Sequence, residues 1–330
     1  MQPQKGALVP AIVQILSIGD ANAELVFSQL EKMPMIGREV VVPGVKLQAA
    51  GSAANFALST ANLGVKTGFA GRLAVDQFGE VVLKAFREAD VDTRFLRLVE
   101  DSSTGITVSM VREDGKRAFV TYPGTNSQLS QKELKTCLSK DPPPRWVHLA
   151  GYHLLDSLHG EPTASILELA RSRGATTSLD MGSDPSGGFE KPIEVIKTIL
   201  QFVDIFFLNS NEVKVLTGER SPQKGAKILL DAGAPTLVVK LFNKGCLLAT
   251  KRDQHLIPSF KVKVVNTTAA GDAFAAGFVV SMLSGATMGR AGVFANAVAA
   301  LRVSRRSDQH SFPTLQETTA FLMKKRPLEA

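Results

Sequence analysis

Apolar and polar positions along the 330-residue chain change period repeatedly, and each change marks a strand or a helix. Residues 12–18 are largely apolar and close on Gly19 and Asp20, as a buried strand would. Asn22 and Glu24 follow two apart, so a continued strand would turn both polar groups to one face. The small residues 49–57 lead into an alanine-rich helix that reaches Leu63 and stops at Gly64. Residues 105–112 and 117–122 alternate on either side of Glu113-Asp114-Gly115-Lys116, and Asp-Gly signals a hairpin turn. With a strand-like stretch at 39–47 they predict a small sheet outside the main one. Pro142, Pro143 and Pro144 break the chain before an apolar strand at 145–150. Strands at 175–179, 202–208 and 237–241 then alternate with helical stretches, which predicts a parallel sheet covered by helices on both faces. Residues 260–265 alternate apolar and basic, as a strand would, while Phe274, Phe278 and Met282 recur at helical spacing. The small residues between them read as a tight turn joining strand to helix.

Composition narrows the function classes. With 44% hydrophobic and 21% charged residues, the chain has the balance of a soluble globular enzyme. A net charge of +7 suits a phosphorylated substrate or nucleic acid. Trp occurs once and Tyr twice, and Arg302, Arg305, Arg306 and Lys324-Lys325-Arg326 sit among helix-like residues without interleaved aromatics, so they read as solvated faces. No nucleic-acid partner is expected. Cys137 and Cys246 make no CxxC and imply neither a disulfide framework nor a zinc site, in keeping with a reducing cytoplasm. No run of about 18 apolar residues would span a membrane. Lys5, the apolar residues 7–16 and Ala21-Asn22-Ala23 mimic a signal peptide, but Pro10 and Gln14 interrupt the run and the same residues serve as a first strand.

The candidate chemistry centres on Ala269, Ala270, Gly271 and Asp272. Three nearly absent side chains let an anion approach the backbone N–H groups at a helix start, where the dipole favours negative charge. A carboxylate beside that site repels the anion, unless it takes a proton from a hydroxyl attacking it. The combination suggests phosphoryl transfer to an alcohol; a helix cap with close packing fits the same residues. Asp180-Met181-Gly182-Ser183-Asp184-Pro185 follows a strand, at the carboxyl edge where open α/β sheets bind ligands, and also fits an ordinary turn. Asn209 and Glu212 lie one helical turn apart, placed either to face a hydrated Mg²⁺ or to form a capping box. Neither a P-loop motif nor a dinucleotide-binding Gly-x-Gly-x-x-Gly occurs.

Residues 266–277, with Ala269-Ala270-Gly271-Asp272 at their centre, resemble the C-terminal signature of the ribokinase-like, or PfkB, carbohydrate kinases. Gly51 to Asn55 resemble the family's N-terminal signature, Gly71 to Gly79 its Gly-x-x-Gly-x-Asp-x-x-Gly stretch with Ala74 for the second Gly, Asn209 and Glu212 its Asn-x-x-Glu, and Ser311-Phe312-Pro313-Thr314 its closing motif. The resemblance runs in the family's order from about Val13 to about Thr314. It implies one ribokinase-like α/β domain over 1–330: a three-layer sandwich with a mostly parallel sheet covered by helices, and a small β-sheet lid within about 22–50 and 104–123. In several members the lid is also a homodimer contact. The implied activity is ATP-dependent phosphorylation of a hydroxymethyl group on a sugar or sugar-like substrate; a nucleoside kinase and a non-catalytic sensor are the alternatives. Asp272 would be the base, with the N–H groups around Ala269, Ala270 and Gly271 holding phosphoryl charge. Asn22, Glu24, Gly51 and Asn55 would meet the sugar. Mg²⁺ would be held through water near Asn209 and Glu212, Lys240 and Gly245 would lie along the ATP phosphates, and Asn296 would border the adenine.

Departures from the pattern carry expectations of their own. Phe242 replaces a Gly beside the ATP phosphates, and Glu24 replaces the usual Asp; both favour the sensor, while intact Asp272 favours the enzyme. Asn266 stands where relatives use an Asp to bind K⁺, so weak or absent K⁺ activation is expected. Ribokinases place a Glu against ribose near Tyr152, and here no carboxylate precedes Asp156. The aromatic face of Tyr152 and the longer Glu24 rank a hexose or keto-sugar first, a nucleoside second and ribose third.

Overall fold

The apolar run after Val13 becomes β1 (Ile15–Gly19), buried along its whole length, with Leu16 and Ile18 turned into one core layer and Ile15 into the other. The computed structural model describes residues 12–113, 117–182, 192–305 and 312–325; the segment around Lys5, the Asp114-Gly115 turn, Ser183 to Pro185, Arg306, Ser311 and Arg326 lie outside them. The chain leaves β1 for β2 (Asn22–Leu30) and β3 (Val45–Ala50), then returns through α1 (Ser52–Asn62) and β4 (Thr67–Ala70). A short β5 (Arg72–Ala74), α2 (Gln77–Glu88) and β6 (Arg97–Val99) precede the hairpin β7 (Gly105–Arg112) and β8 (Arg117–Tyr122). Next come α3 (Gln131–Leu138), β9 (Trp146–Ala150), α4 (Glu161–Ser172), β10 (Thr176–Asp180), α5 (Pro192–Leu200), β11 (Ile205–Asn209) and α6 (Ser210–Thr217). The last third holds α7 (Pro222–Asp231), β12 (Thr236–Lys240), β13 (Cys246–Thr250), β14 (Gln254–Ile257), α8 (Ala270–Leu283), α9 (Met288–Ser304) and α10 (Leu315–Lys324).

The main sheet has the order β14-β13-β12-β11-β10-β9-β1-β4. It is parallel from β4 to β12, so the ends of β1, β9, β10, β11 and β12 share one carboxyl edge. Helices cover both faces: Leu134, Ile166, Leu167, Val213 and Leu229 pack on one, and Phe56, Phe86, Phe274, Phe278 and Val298 on the other. Trp146, on β9, is buried with its indole N–H donated to Ser178 Oγ at 2.8 Å. The small sheet β3-β2-β7-β8 stands apart, as the alternation predicted. Among the described residues no helix is long and apolar enough to cross a membrane, and both cysteines are free thiols.

Three expectations change. Residues 260–265 form no strand. The chain has already made β13 and β14, an antiparallel extension the alternation did not reveal, and it then runs along α9, where Phe260 packs on Ala297 and Ala300 and Val265 N–H donates to Val303 O at 2.7 Å. The strand expected at 39–47 begins only at Val45. Arg302 does not lie on a solvated face. It is 1% exposed, under the Phe312 ring at 5.5 Å, with its Nε and Nη1 unpartnered.

Candidate active site

Helix α8 runs through the interior, which its alanines and glycine permit: a Cβ on Gly277 would lie 2.9 Å from Val298 Cγ2. Its first turn therefore emerges at a fixed place. Ala269, at φ 58°, caps the helix in the left-handed region, and the first α-type bond runs from Ala273 N to Ala269 O. The N–H groups of Gly271 and Asp272 precede that bond, outside the helical ladder. Lys240 and Asp180, the last residues of β12 and β10, meet at the carboxyl edge with Nζ–Oδ2 at 2.5 Å. The Cβ position of Gly271 lies 3.5 Å from Lys240 Nζ, so the ammonium sits against the start of the helix. That is a cradle for an anion.

Asp272 stands over the cradle and accepts a hydrogen bond from Asn55 Nδ2, on α1, at 2.9 Å. Burial first, then the neighbouring Asp180 carboxylate, push its carboxyl up to about 7, against the pull of Lys240 and Asn55. Burial pulls Lys240 down, but Asp180, Glu212 and Asp272 outweigh it and hold the ammonium above its ordinary value. The site thus offers a firm cation and a carboxyl that changes charge near neutrality. Asn55 Oδ1 is buried and unpartnered beside Asp272, an acceptor that a ligand hydroxyl would satisfy.

Asp20 supports this corner, accepting from Ser52 N and Ala53 N at 3.0 Å each and so capping α1. Gly51 between them has φ 102°, and a Cβ there would meet Asp20 O at 2.6 Å. Asn22 and Glu24 do share a face of β2, as predicted, and both are buried. Asn22 Oδ1 accepts from Asn126 Nδ2 at 2.7 Å, and Glu24 Oε2 from Gln48 Nε2 at 2.8 Å. The strand registers add Thr107, Thr121, Phe119 and Arg117 to the same lid face. Arg117 reaches across to the body, donating from Nη2 to Asn266 Oδ1 at 2.9 Å and from Nη1 to Thr268 Oγ1.

Tyr152 is not part of this wall. Gly151, at φ 69°, turns the chain into a short 3₁₀ helix that sends the ring inward, where it is 0% exposed, packs on His159 at 4.8 Å and accepts from Gly160 N at 2.7 Å. Burial pushes its phenol up to about 12. The aromatic surface on the lid's inner face is Phe119, 51% exposed. Asn296 is buried, and its Nδ2 donates to Ile257 O and Pro258 O at 3.1 Å each, pinning the end of β14.

Asn209 and Glu212 form the capping box that the spacing allowed, with Asn209 Oδ1 accepting from Asn211 N and Glu212 N and Glu212 Oε2 accepting from Asn209 N. Among the described residues no three of His, Cys, Asp and Glu are grouped so as to hold a metal ion by themselves. One amide oxygen and one carboxylate suit an ion that keeps most of its water, as Mg²⁺ does. Gly245, at φ 97°, turns β12 back toward β13, since a Cβ would lie 2.0 Å from Ile257 O. Phe242 in the same turn takes φ 55° with its ring 64% exposed.

Sequence reasoning missed Gln48, Asn126, Phe119 and Arg117, and saw Asp180 only as part of a turn. Phe119 and Arg117 were within reach, because the period of two that predicted β8 also puts them on one face. Asn126 and the pairing of Asp180 with Lys240 depend on contacts 104 and 60 residues apart, which no local pattern carries.

Residues 13–315 match the family model described as pfkB family carbohydrate kinase. A ribokinase from Haemophilus influenzae is 28% identical over 311 residues, covering 92% of this chain and 97% of that protein. An ATP-dependent ribose-1-phosphate kinase from Halopiger xanaduensis is 28% identical over 314 residues, covering 94% and 98%. The solved structure of Arabidopsis thaliana ribokinase complexed with ribose and ATP superposes with a TM-score of 0.78 at 25% identity, covering 94% of this chain and 99% of that one.

Proposed function

Because the chain belongs to the pfkB family of carbohydrate kinases, we infer that it transfers the γ-phosphoryl group of ATP to a hydroxymethyl group held between the lid and α1. The observation that carries this reading is the place of Asp272, in the first turn of α8, held by Asn55 at 2.9 Å and one residue from Gly271, with burial pushing its carboxyl up to about 7. Asp272 takes the hydroxyl proton as the oxygen attacks. The N–H groups at the start of α8 and the Lys240 ammonium hold the charge that develops on the phosphoryl oxygens, in place before the reaction and so without reorganisation. Asn55 fixes the Asp272 carboxylate through Nδ2 and offers its bare Oδ1 to the acceptor. Asn209 and Glu212 would hold Mg²⁺ through its water shell, and the ion would supply positive charge to offset that of the phosphates.

For the acceptor, Glu24, Gln48 and Asn22 offer polar groups on the lid face, with Phe119, in place of the buried Tyr152, as the aromatic surface. We keep the order hexose or keto-sugar, nucleoside, ribose. The test is a coupled ADP-release assay with ribose, fructose, adenosine and 2-keto-3-deoxygluconate at fixed ATP and Mg²⁺. Turnover with none of them favours the sensor, and a tenfold preference for ribose reverses the order. Asn266 Oδ1 is already engaged by Arg117 and by Thr268 N at 2.9 Å, which supports weak K⁺ dependence. Replacing a large organic cation by millimolar K⁺ should change the rate little, and a strong increase would refute this. The outer lid face exposes Val45, Leu47, Val120 and Tyr122, which supports a second copy of the chain as its cover.

A further inference from the structure

We propose that Arg117 is a positioning residue that couples the seating of the lid to the shape of the anion-holding turn. It rests on the kinase reading above. Arg117 is the first residue of β8, the edge strand of the lid, and pairs with Val111 across the hairpin. Its guanidinium contacts residues 149 and 151 positions away, Asn266 and Thr268, in the loop that runs into α8.

That loop is held from two sides. On the body side Val303 O accepts from Val265 N at 2.7 Å and Asn266 N at 3.0 Å. On the lid side one oxygen, Asn266 Oδ1, gathers both Thr268 N and Arg117 Nη2, and the Thr268 hydroxyl takes the second guanidinium contact. The next residue is Ala269, held at φ 58°. An alanine there is strained, because its Cβ crowds the following carbonyl oxygen, and such a conformation persists only where its surroundings over-determine it. Arg117 supplies part of that constraint, but only while β8 lies against the body.

The chemistry of the guanidinium makes the coupling run both ways. Arg117 is half-buried, and its Nε is buried without a partner. A charge taken partly from water needs bonded acceptors and a counter-charge. Asn266 and Thr268 give the first, and Glu24 on the same lid face lies within electrostatic reach to give the second. An acceptor sugar bound between Glu24 and Asp272 therefore favours the seated lid, and the seated lid shapes the turn. Water alone provides no such coupling, so Arg117 also helps direct the phosphoryl group to the sugar.

The test compares Arg117→Ala, Arg117→Lys, Thr268→Val and the Arg117→Ala/Thr268→Val double variant for sugar phosphorylation, sugar-independent ATP hydrolysis and thermal melting. With Arg117→Ala, kcat should fall at least about tenfold while KM for ATP stays within about threefold, and hydrolysis relative to phosphorylation should rise about tenfold. Lys should recover part of the loss, and millimolar guanidinium should raise kcat several-fold in the Ala variant but not in wild type, a rescue that a purely structural role would not show. The double variant should be little worse than Arg117→Ala alone, because both remove one contact. Wild-type turnover with an Arg117→Ala kcat within twofold, losses that multiply in the double variant, or no guanidinium rescue below the melting temperature would each overturn the coupling alone. Absence of wild-type turnover would overturn the kinase reading, and the coupling with it.

Discussion

The burial that suits Asp272 to take a proton also works against the fold. Its carboxyl ionises at about 7 in the folded protein against 3.8 for the ordinary side chain. Between those values the unfolded chain has lost its proton while the folded one keeps it, so stability falls as pH rises through that window. Asp272→Asn removes the conflict and the base together. At pH 8 it should melt a few degrees higher while kcat drops by about 10² to 10⁴. Wild-type kcat/KM should climb with pH through about 7 and then level, and the Asn variant should be flat. A variant keeping more than a tenth of wild-type kcat would remove Asp272 from the chemistry. Phe242 poses a similar conflict on the nucleotide side. A phenylalanine at φ 55° costs about 1–2 kcal/mol, and its exposed ring gains little from packing. Phe242→Gly should therefore raise the melting temperature, and if the ring meets the nucleotide, KM for ATP should rise several-fold. An unchanged KM would show that it does not.

At the scale of elements, legibility followed how local the determinant was. The start of α8 was readable because its signal, three small residues and an acid, lies within one turn. The Asn209 and Glu212 box was readable as one of two alternatives for the same reason. Residues 260–265 misled because alternation reports a two-sided environment, and α9 on one side with water on the other satisfies it as well as a sheet does. Tyr152 misled because one left-handed glycine redirects the ring, and Arg302 because a helical arginine can lie under a phenylalanine. The lid shows what alternation reads well: Glu24, Gln48 and Arg117 go inward, Leu47, Val120 and Tyr122 outward. If a second copy covers that outer face, Val120→Glu should lower the sedimentation mass toward a monomer, with inward-facing groups unaffected. An unchanged mass, or a wild type that is already monomeric, would leave the face without that partner.

Across the whole molecule, the site is assembled from pieces that meet only in the finished fold. Asn55 and Asp272 are 217 residues apart, Arg117 and Thr268 151, Asp180 and Lys240 60. None of these contacts is a large apolar burial, whereas Trp146, the sole tryptophan, is buried at the start of β9 in the main sheet, within one of its two core layers. The polar junction between lid and body should open at lower free energy than the sheet. In rising urea, turnover should therefore disappear before the emission of Trp146 shifts to the red. Coincident midpoints would mean that lid, α1 and α8 come apart only with the sheet itself. A separated pair would instead make the protein its own two-channel denaturation gauge, with one indole reporting the scaffold and the polar contacts of Arg117, through catalysis, reporting the joint.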